Sequence, residues 1–443
     1  MKALYLVGAL AFLTPVPQLY AQSTEYEAWL QEQGKVYDTF RTEAQAAYLA
    51  SLRKPWAKVD AEGITSSANE IQQKFSAIET PTGDVVESAA IPRDLVPVEP
   101  KERMPEQLAP STSDIADEWE GAVAEFDISG LFSGIREQYQ EGYLDDLSLL
   151  YSVVDALDQQ DGGSESVPIR TAVFLQELGF SASIFKTERQ VILGVASDDD
   201  VYDLPRLWWN NRQWYLVGLD GQDLVIDGEL FLPSVDAVEG RSFSFVPQPG
   251  IAGVSESRFI SFTWNDKAFE FSIEYDASWV SGLTSRPELA FHHALGVELS
   301  STSKQSLEDE LRPALDSLDH RDQIDFLLRF VQKGFSYGLD RIQFGKQRSL
   351  IAEEVFFYPY SDCEDRSSLL IQILSSLTGT EAVGLYYPGH VTVGLSIPPL
   401  PGDHVVSIEG RNYVMADPTY IGASVGMVMP DFAFQHPELL RKQ

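Results

Sequence analysis

Apolar and polar residues alternate along two neighbouring stretches in the middle of the chain, residues 260–264 and 269–275. Successive side chains of a β-strand point to opposite faces, so this period of two predicts a half-buried β-hairpin. The residues between the stretches, Asn265, Asp266 and Lys267, favour a turn. Further strand-like runs lie at residues 181–185, 190–195 and 213–217, after predicted helices at 147–156 and 169–178.

The C-terminal third begins with a helical period. Four apolar side chains with the spacing i, i+3, i+4 and i+7 share one face of a helix: Ile324, Leu327, Leu328 and Val331. A second helix is predicted to begin at Cys363, with an inner face of Leu369, Leu370, Ile373, Leu374 and Leu377. Strand-like runs follow at residues 391–395, 405–408 and 412–416. Helices and strands in separate runs predict the α+β class.

Aromatic residues recur along the N-terminal region at a spacing of 11 residues: Tyr26, Tyr37 and Tyr48, and likewise Trp29 and Phe40. A repeat of this length keeps one face aligned along a long helix, which Pro55 ends. The stripe predicts a helix that packs along its own protein. The alternative is self-association, or contact with a protein partner, through the helix at residues 26–56.

Changes in composition divide the chain into segments. Six prolines between residues 81 and 110 indicate an extended linker. The predicted order is a signal peptide (1–21), the long helix (22–58), the Pro-rich linker (59–112), an α+β domain (113–225), a β-rich domain (226–305) and a C-terminal domain (306–443).

The first residues have the composition of a secretory signal peptide. Lys2 supplies a positive start, residues 3–16 are mostly apolar, and Ala21 offers a cleavage point. This run is too short to span a membrane, and no later run approaches about twenty apolar residues. We therefore expect an exported protein, periplasmic or extracellular, with no membrane insertion after signal cleavage.

Acidic residues outnumber basic residues by 67 to 32, which gives a net charge of −35. A surface of this charge repels phosphate backbones and anionic lipids, so nucleic acid is not an expected partner. The charge favours solubility and does not select a function.

The single cysteine, Cys363, cannot form an internal disulfide. A free cysteine is often a small buried apolar residue, but such a residue would more naturally lie within the apolar face. Cys363 instead begins a helix, after Ser361 and Asp362, either of which can cap it. The helix N-terminus favours a thiolate, so the position predicts a nucleophile. No CxxC or HExxH pattern is present, so neither a metal nor another cofactor is predicted.

Two further residues complete a candidate triad. His390 opens a predicted strand and Asp417 ends another, and neighbouring antiparallel strands can place such ends side by side. Cys363, His390 and Asp417 would then act as nucleophile, base and orienting carboxylate. His404 competes for the role of base, but it follows a Pro-Gly-Asp turn.

These motifs resemble those of the transglutaminase-like superfamily, whose members share a papain-like core. The resemblance covers roughly residues 318–425 and rests on Asp362-Cys363-Glu364-Asp365, Gly389-His390-Val391, Asp417-Pro418-Thr419, and Phe335-Ser336-Tyr337 with Asp340. It implies that Cys363 is the nucleophile, His390 the base and later the acid, and Asp417 the residue that orients the histidine. One departure is Thr392, where the family often has an aromatic residue.

The resemblance implies an exported cysteine hydrolase or acyltransferase that acts on peptide or carboxamide bonds of a protein or peptide substrate. Hydrolysis is favoured over transfer to an amine. The alternative is a non-catalytic interaction or assembly module that retains the fold. Arylamine-type acetyl transfer uses the same triad order, but the sequence shows no sign of an acyl-CoA pocket.

Two parts of the sequence are similar to each other. The run from Arg189 to Val195 aligns with the run from Gly389 to Leu395, and residues 212–218 align with 411–417 after one inserted residue. In this register the catalytic positions become Gly163, Gln190 and Gly218. We hypothesise that residues 113–225 are a degenerate copy of the catalytic domain. The alternative is chance similarity between short β patterns.

Overall fold

A computed structural model describes residues 42–60, 109–126, 132–161, 165–219, 224, 226, 228–234, 240–250 and 253–440. The fold is mixed α and β, and its two larger sheets are antiparallel. The predicted signal peptide lies outside the described residues, as do most of the long helix and most of the linker. Among the helices that the structure describes, none has the length and apolar character needed to cross a bilayer.

The first unit is built on a six-stranded sheet with the strand order β1-β6-β2-β3-β5-β4. Its helices are α1 (42–52), α2 (Thr112–Phe126), α3 (Ser133–Gln140), α4 (Asp146–Asp161) and α5 (Val167–Glu177). Its strands are β1 (Ala57–Asp60), β2 (Ala182–Lys186), β3 (Val191–Ala196), β4 (Arg206–Trp209), β5 (Arg212–Val217) and β6 (Glu229–Leu232). The three predicted strand runs therefore match β2, β3 and β5 to within one residue.

The first unit extends past the boundary predicted at residue 225. Strand β6 pairs with β1 and, through Phe231 and Lys186, with β2. Phe243 and Phe245 add to the same core. Strand β1 itself falls where the long helix and the linker were predicted to meet. Strands of four residues carry too few positions for a period of two to be recognised, which explains the difference.

The predicted hairpin is confirmed as β7 (Ser255–Trp264) and β8 (Lys267–Asp276), with positive φ angles at Asn265 and Asp266. It is not part of a separate β-rich domain at 226–305. Its apolar face packs on the helices that follow, and Phe262 contacts Phe326 edge to face at 5.2 Å. An isolated two-stranded hairpin is at best marginally stable, so this hairpin shares the core of the C-terminal unit.

The C-terminal unit contains a five-stranded sheet with the order β13-β14-β12-β11-β15. Its helices are α6 (Ala277–Leu283), α7 (Phe291–Ala294), α8 (Ser301–Leu315), α9 (His320–Gly334), α10 (Asp340–Gln343), α11 (Glu354–Phe357) and α12 (Cys363–Thr378). The strands of the sheet are β11 (Ala382–Tyr387), β12 (His390–Leu395), β13 (Val405–Ile408), β14 (Arg411–Ala416) and β15 (Glu438–Leu440). Two short strands, β9 (Ser336–Tyr337) and β10 (Tyr360–Ser361), pair in parallel outside this sheet.

Five strands of the first sheet have the same order as the second sheet. Strands β6-β2-β3-β5-β4 correspond in sequence to β15-β11-β12-β14-β13, and each set follows a helix. The register also corresponds, because Ala182 pairs with Val195 and Ala382 pairs with Leu395. The two sheets therefore share their strand order and register over these five strands, as the duplication hypothesis requires.

The correspondence continues into the outer hairpin of each sheet. Arg206 pairs with Tyr215 in the first sheet, and Val405 pairs with Val414 in the second. Equivalent residues of these outer hairpins are one position closer together in the sequence than equivalent residues of the inner strands are. This difference is the one-residue insertion that was inferred from the sequence. The equivalent of Cys363, near Gly163, lies outside the described residues.

Two glycines occupy equivalent positions on β3 and β12. A Cβ atom at Gly194 would lie 2.2 Å from the Phe185 ring, and one at Gly394 would lie 2.8 Å from Leu385 Cδ1. Phe185 and Leu385 are themselves equivalent positions on β2 and β11. Each glycine therefore makes room for a large apolar side chain from the neighbouring strand.

Candidate active site

Cys363 is the first residue of α12, as the sequence predicts. The chain enters this helix from β10, whose parallel pairing with β9 fixes its direction. Asp362 is the N-cap residue, and its amide donates a hydrogen bond to Asp365 Oδ2 at 3.0 Å. The predicted inner face of α12 is fully buried and anchors the helix. The nucleophile candidate is thereby held on a rigid element.

The sheet brings His390 and Asp417 together. Strands β12 and β14 are neighbours, and their register sets Val393 beside Ala416. The start of β12 consequently lies next to the end of β14, and His390 Nε2 is 2.8 Å from Asp417 Oδ2. Both side chains are buried.

Further hydrogen bonds hold Asp417 in its charged form. Its Oδ1 accepts from the Thr419 amide and hydroxyl and from the Tyr420 amide. Burial favours the neutral acid, but these bonds together with His390 keep the pKa of Asp417 below its usual value. An ionised Asp417 accepts a hydrogen bond from His390 Nε2–H, which leaves Nδ1 as the nitrogen with a lone pair. The histidine that contacts Asp417 is His390.

The thiol of Cys363 is 2% exposed and donates to Glu364 Oε2 at 3.0 Å. A thiol carries one proton, so that proton points to Glu364 and not to His390. The backbone of Val391, next to His390, also hydrogen-bonds to the thiol. The Cys363 thiol therefore lies against the start of β12, the strand that His390 opens.

The charge state of Cys363 differs from the expected thiolate. Burial, followed by the negative charges of Glu364 and Asp362, raises the pKa of this thiol well above its usual value. The effect of the helix N-terminus is outweighed by the two carboxylates that flank the cysteine. The surroundings of Cys363 therefore favour the neutral thiol.

Four buried carboxyl groups surround the start of α12: Asp340, Asp362, Glu364 and Asp365. Burial and repulsion by Asp365 raise the pKa of Asp340 to about 10. The pKa values of Asp362 and Asp365 are also well above normal, again through burial first and then repulsion by Glu364. Burial and mutual repulsion thus favour the neutral acids of Asp340, Asp362 and Asp365.

The same cluster contains two sets of possible metal ligands. Oxygens of Asp340, Asp362 and Asp365 lie within 4.8 Å of one another, as do donor atoms of Asp362, Cys363 and Glu364. Asp362 Oδ1 has no hydrogen-bond partner. Buried carboxylates at this spacing suit a hard divalent cation. The sequence analysis quoted these residues as motifs of the cysteine site, and it predicted no metal because it looked for CxxC and HExxH patterns.

A third set of possible metal ligands is less suitable. Asp200, His292 and His293 approach one another where the two units meet. However, His293 Nε2 accepts a hydrogen bond from the Asp200 amide at 3.0 Å. That nitrogen's lone pair is occupied, so His293 has only Nδ1 to offer a metal.

Gln332 supports the site and was missed by the sequence analysis. This buried side chain on α9 donates to the carbonyl oxygens of Asp417, Tyr420 and Ala423 and accepts from the Gly422 amide. It holds the loop after β14 so that Asp417 faces His390. The available signal was a polar residue next to the apolar stripe of α9.

No protein-family model, no curated protein and no solved structure matches this chain. The fold and the site define a mixed α and β protein with a buried histidine–carboxylate pair beside a cysteine at a helix start.

Proposed function

We propose that the protein is an exported, transglutaminase-like cysteine hydrolase or acyltransferase that acts on peptide or carboxamide bonds. The observation that carries the proposal is the buried contact of 2.8 Å between His390 and Asp417, beside the Cys363 thiol. A nucleophile, a base and a group that orients the base are the parts that acyl transfer requires.

In this proposal His390 Nδ1 takes the proton from Cys363, and the thiolate adds to the carbonyl carbon of the substrate. His390 then gives that proton to the departing amine, and a thioester remains on Cys363. Water releases the acyl group as an acid, or a second amine releases it as a new amide. The resemblance of the motifs favours water.

The test is the rate of Cys363 alkylation by iodoacetamide from pH 5 to 10, in the native protein, His390→Ala and His404→Ala. We expect His390→Ala to react about tenfold more slowly at pH 7, because the thiol loses its base, while His404→Ala reacts like the native protein. Equal rates in all three proteins would contradict an activated nucleophile.

A second candidate function is a non-catalytic interaction module. The neutral, buried thiol of Cys363 and the absence of catalytic side chains at Gln190 and Gly218 favour it. Equal alkylation rates in the three proteins would make this module the better proposal.

A further inference from the structure

Residues 426–440 form a strap across the end of the sheet that carries His390. One end is attached to β14, where the Gly426 amide donates to the Met415 carbonyl at 2.8 Å. The other end is β15, which adds to β11 so that Glu438 pairs with Tyr386. The strap is thus fixed on both sides of the histidine.

Phe432 lies on this strap, at the end of a single helical turn, Pro430–Phe432. Its ring is stacked on the His390 imidazole, with ring centroids 4.9 Å apart and planes inclined by 12°. Tyr387, which pairs with His390 across the β11–β12 hairpin, contacts the same phenyl ring at 5.0 Å. Phe432 is half-buried, whereas His390 is only 6% exposed, so the phenyl ring separates the imidazole from solvent.

We infer that Phe432 is a positioning residue for His390, holding the imidazole plane against Asp417 and keeping water from the bond between them. The inference rests on the proposed function, because it assigns Phe432 a part in the same proton transfer. Phe432 acts only through His390 and is placed at no reacting atom.

The physical argument has two parts. A ring packed face to face removes the rotation that would carry Nε2 away from Asp417 Oδ2, and it excludes the water that would compete for the Nε2 proton. When His390 accepts the thiol proton it becomes a cation, and the aromatic face next to it stabilises that cation. A leucine at this position is smaller and has no flat face to stack on the imidazole, so it excludes water less well and cannot provide the second effect.

The experiment compares Phe432→Leu and Phe432→Tyr with Phe434→Leu as the matched control. Phe434 is 98% exposed and two residues away on the same strap. One readout is the rate and pH profile of Cys363 alkylation. The other is the proton NMR signal of the His390 Nε2–H group, assigned with His390→Ala, and its exchange with water. The second readout needs neither a substrate nor an active thiol.

We expect Phe432→Leu to slow alkylation at pH 7 by about three- to tenfold and to speed exchange of the Nε2 proton at least tenfold. Phe432→Tyr and Phe434→Leu should match the native protein in both readouts. If the leucine variant does not fold, Phe432→Met provides the same comparison.

Unchanged exchange and unchanged alkylation in Phe432→Leu would overturn the inference. Failure of the proposed function looks different: alkylation would then be independent of His390 in every variant. The exchange rate of the Nε2 proton would still decide whether Phe432 protects the His390–Asp417 bond.

Discussion

At the residue scale, the proton of the Cys363 thiol decides how the site behaves. Glu364 accepts a hydrogen bond from the thiol, and its charge is the largest cause of the raised thiol pKa after burial. The sequence analysis weighed the helix N-terminus without the carboxylates of the same motif. In a buried site a full charge in direct contact outweighs a helix dipole.

The role of Glu364 can be tested by replacing it with glutamine, which keeps the shape and removes the charge. We expect Glu364→Gln to lower the thiol pKa and to increase the rate of alkylation at pH 7 by about tenfold, since alkylation follows the thiolate fraction. Glu381→Gln, an exposed carboxylate beyond the other end of α12, is the control. A rate unchanged from the native protein would show that burial alone sets the thiol pKa.

At the scale of elements, the glycines of β3 and β12 test how closely the two sheets correspond. Gly194→Ala and Gly394→Ala should each destabilise the fold by about 1–3 kcal/mol, because the new methyl group collides with Phe185 or Leu385. Gly282→Ala, in α6, meets no atom within 4 Å and should stabilise the protein by about 0.5–1 kcal/mol. The measurement is urea unfolding. If Gly394→Ala left the free energy of unfolding unchanged, β11 would have to shift easily to make room for the methyl group.

Elements with a strong local pattern were predictable from the sequence. The helix at Cys363, the hairpin β7–β8 and the strands that carry His390 and Asp417 each have a clear period or a turn. Strands β1 and β6 and residue Phe432 have no such pattern, because pairing partners distant in sequence define them. The histidine–carboxylate contact was predictable, whereas the direction of the thiol proton depends on packing around Glu364.

At the scale of the molecule, the two units are joined by buried polar contacts. Arg286 donates to Asp145 Oδ1 at 2.6 Å, and the Tyr202 amide donates to the carbonyl of Glu288. The side chain of Glu288 accepts from the Ser349 amide. Burial raises the pKa of Glu288 to about 7, so ionisation at this junction opposes the folded state.

The stability of the whole molecule should therefore depend on pH through Glu288. The pKa of Glu288 is about 4.5 in the unfolded chain and about 7 in the folded protein. The contribution of Glu288 to stability is therefore complete below about pH 4.5 and is lost as the pH rises through about 7. Glu288→Gln should be more stable than the native protein at pH 8.5 by about 2 kcal/mol and not at pH 4.5. Glu270→Gln, on the exposed face of the hairpin, should show no such difference. Calorimetry of both proteins at both pH values measures this difference in stability. An equal difference at pH 4.5 and pH 8.5 would exclude Glu288 as the titrating group.

The shared strand order of the two sheets has a consequence for folding fidelity. Two sets of strands with the same register can exchange partners while the chain is still collapsing, a recognised failure of repeat proteins. The two sheets differ in the side chain that lies over the equivalent glycine. It is the phenyl ring of Phe185 in the first sheet and the smaller isobutyl group of Leu385 in the second. A chimeric sheet would contain either a clash or a cavity at this position, so side-chain volume acts as the sorting signal between the two copies.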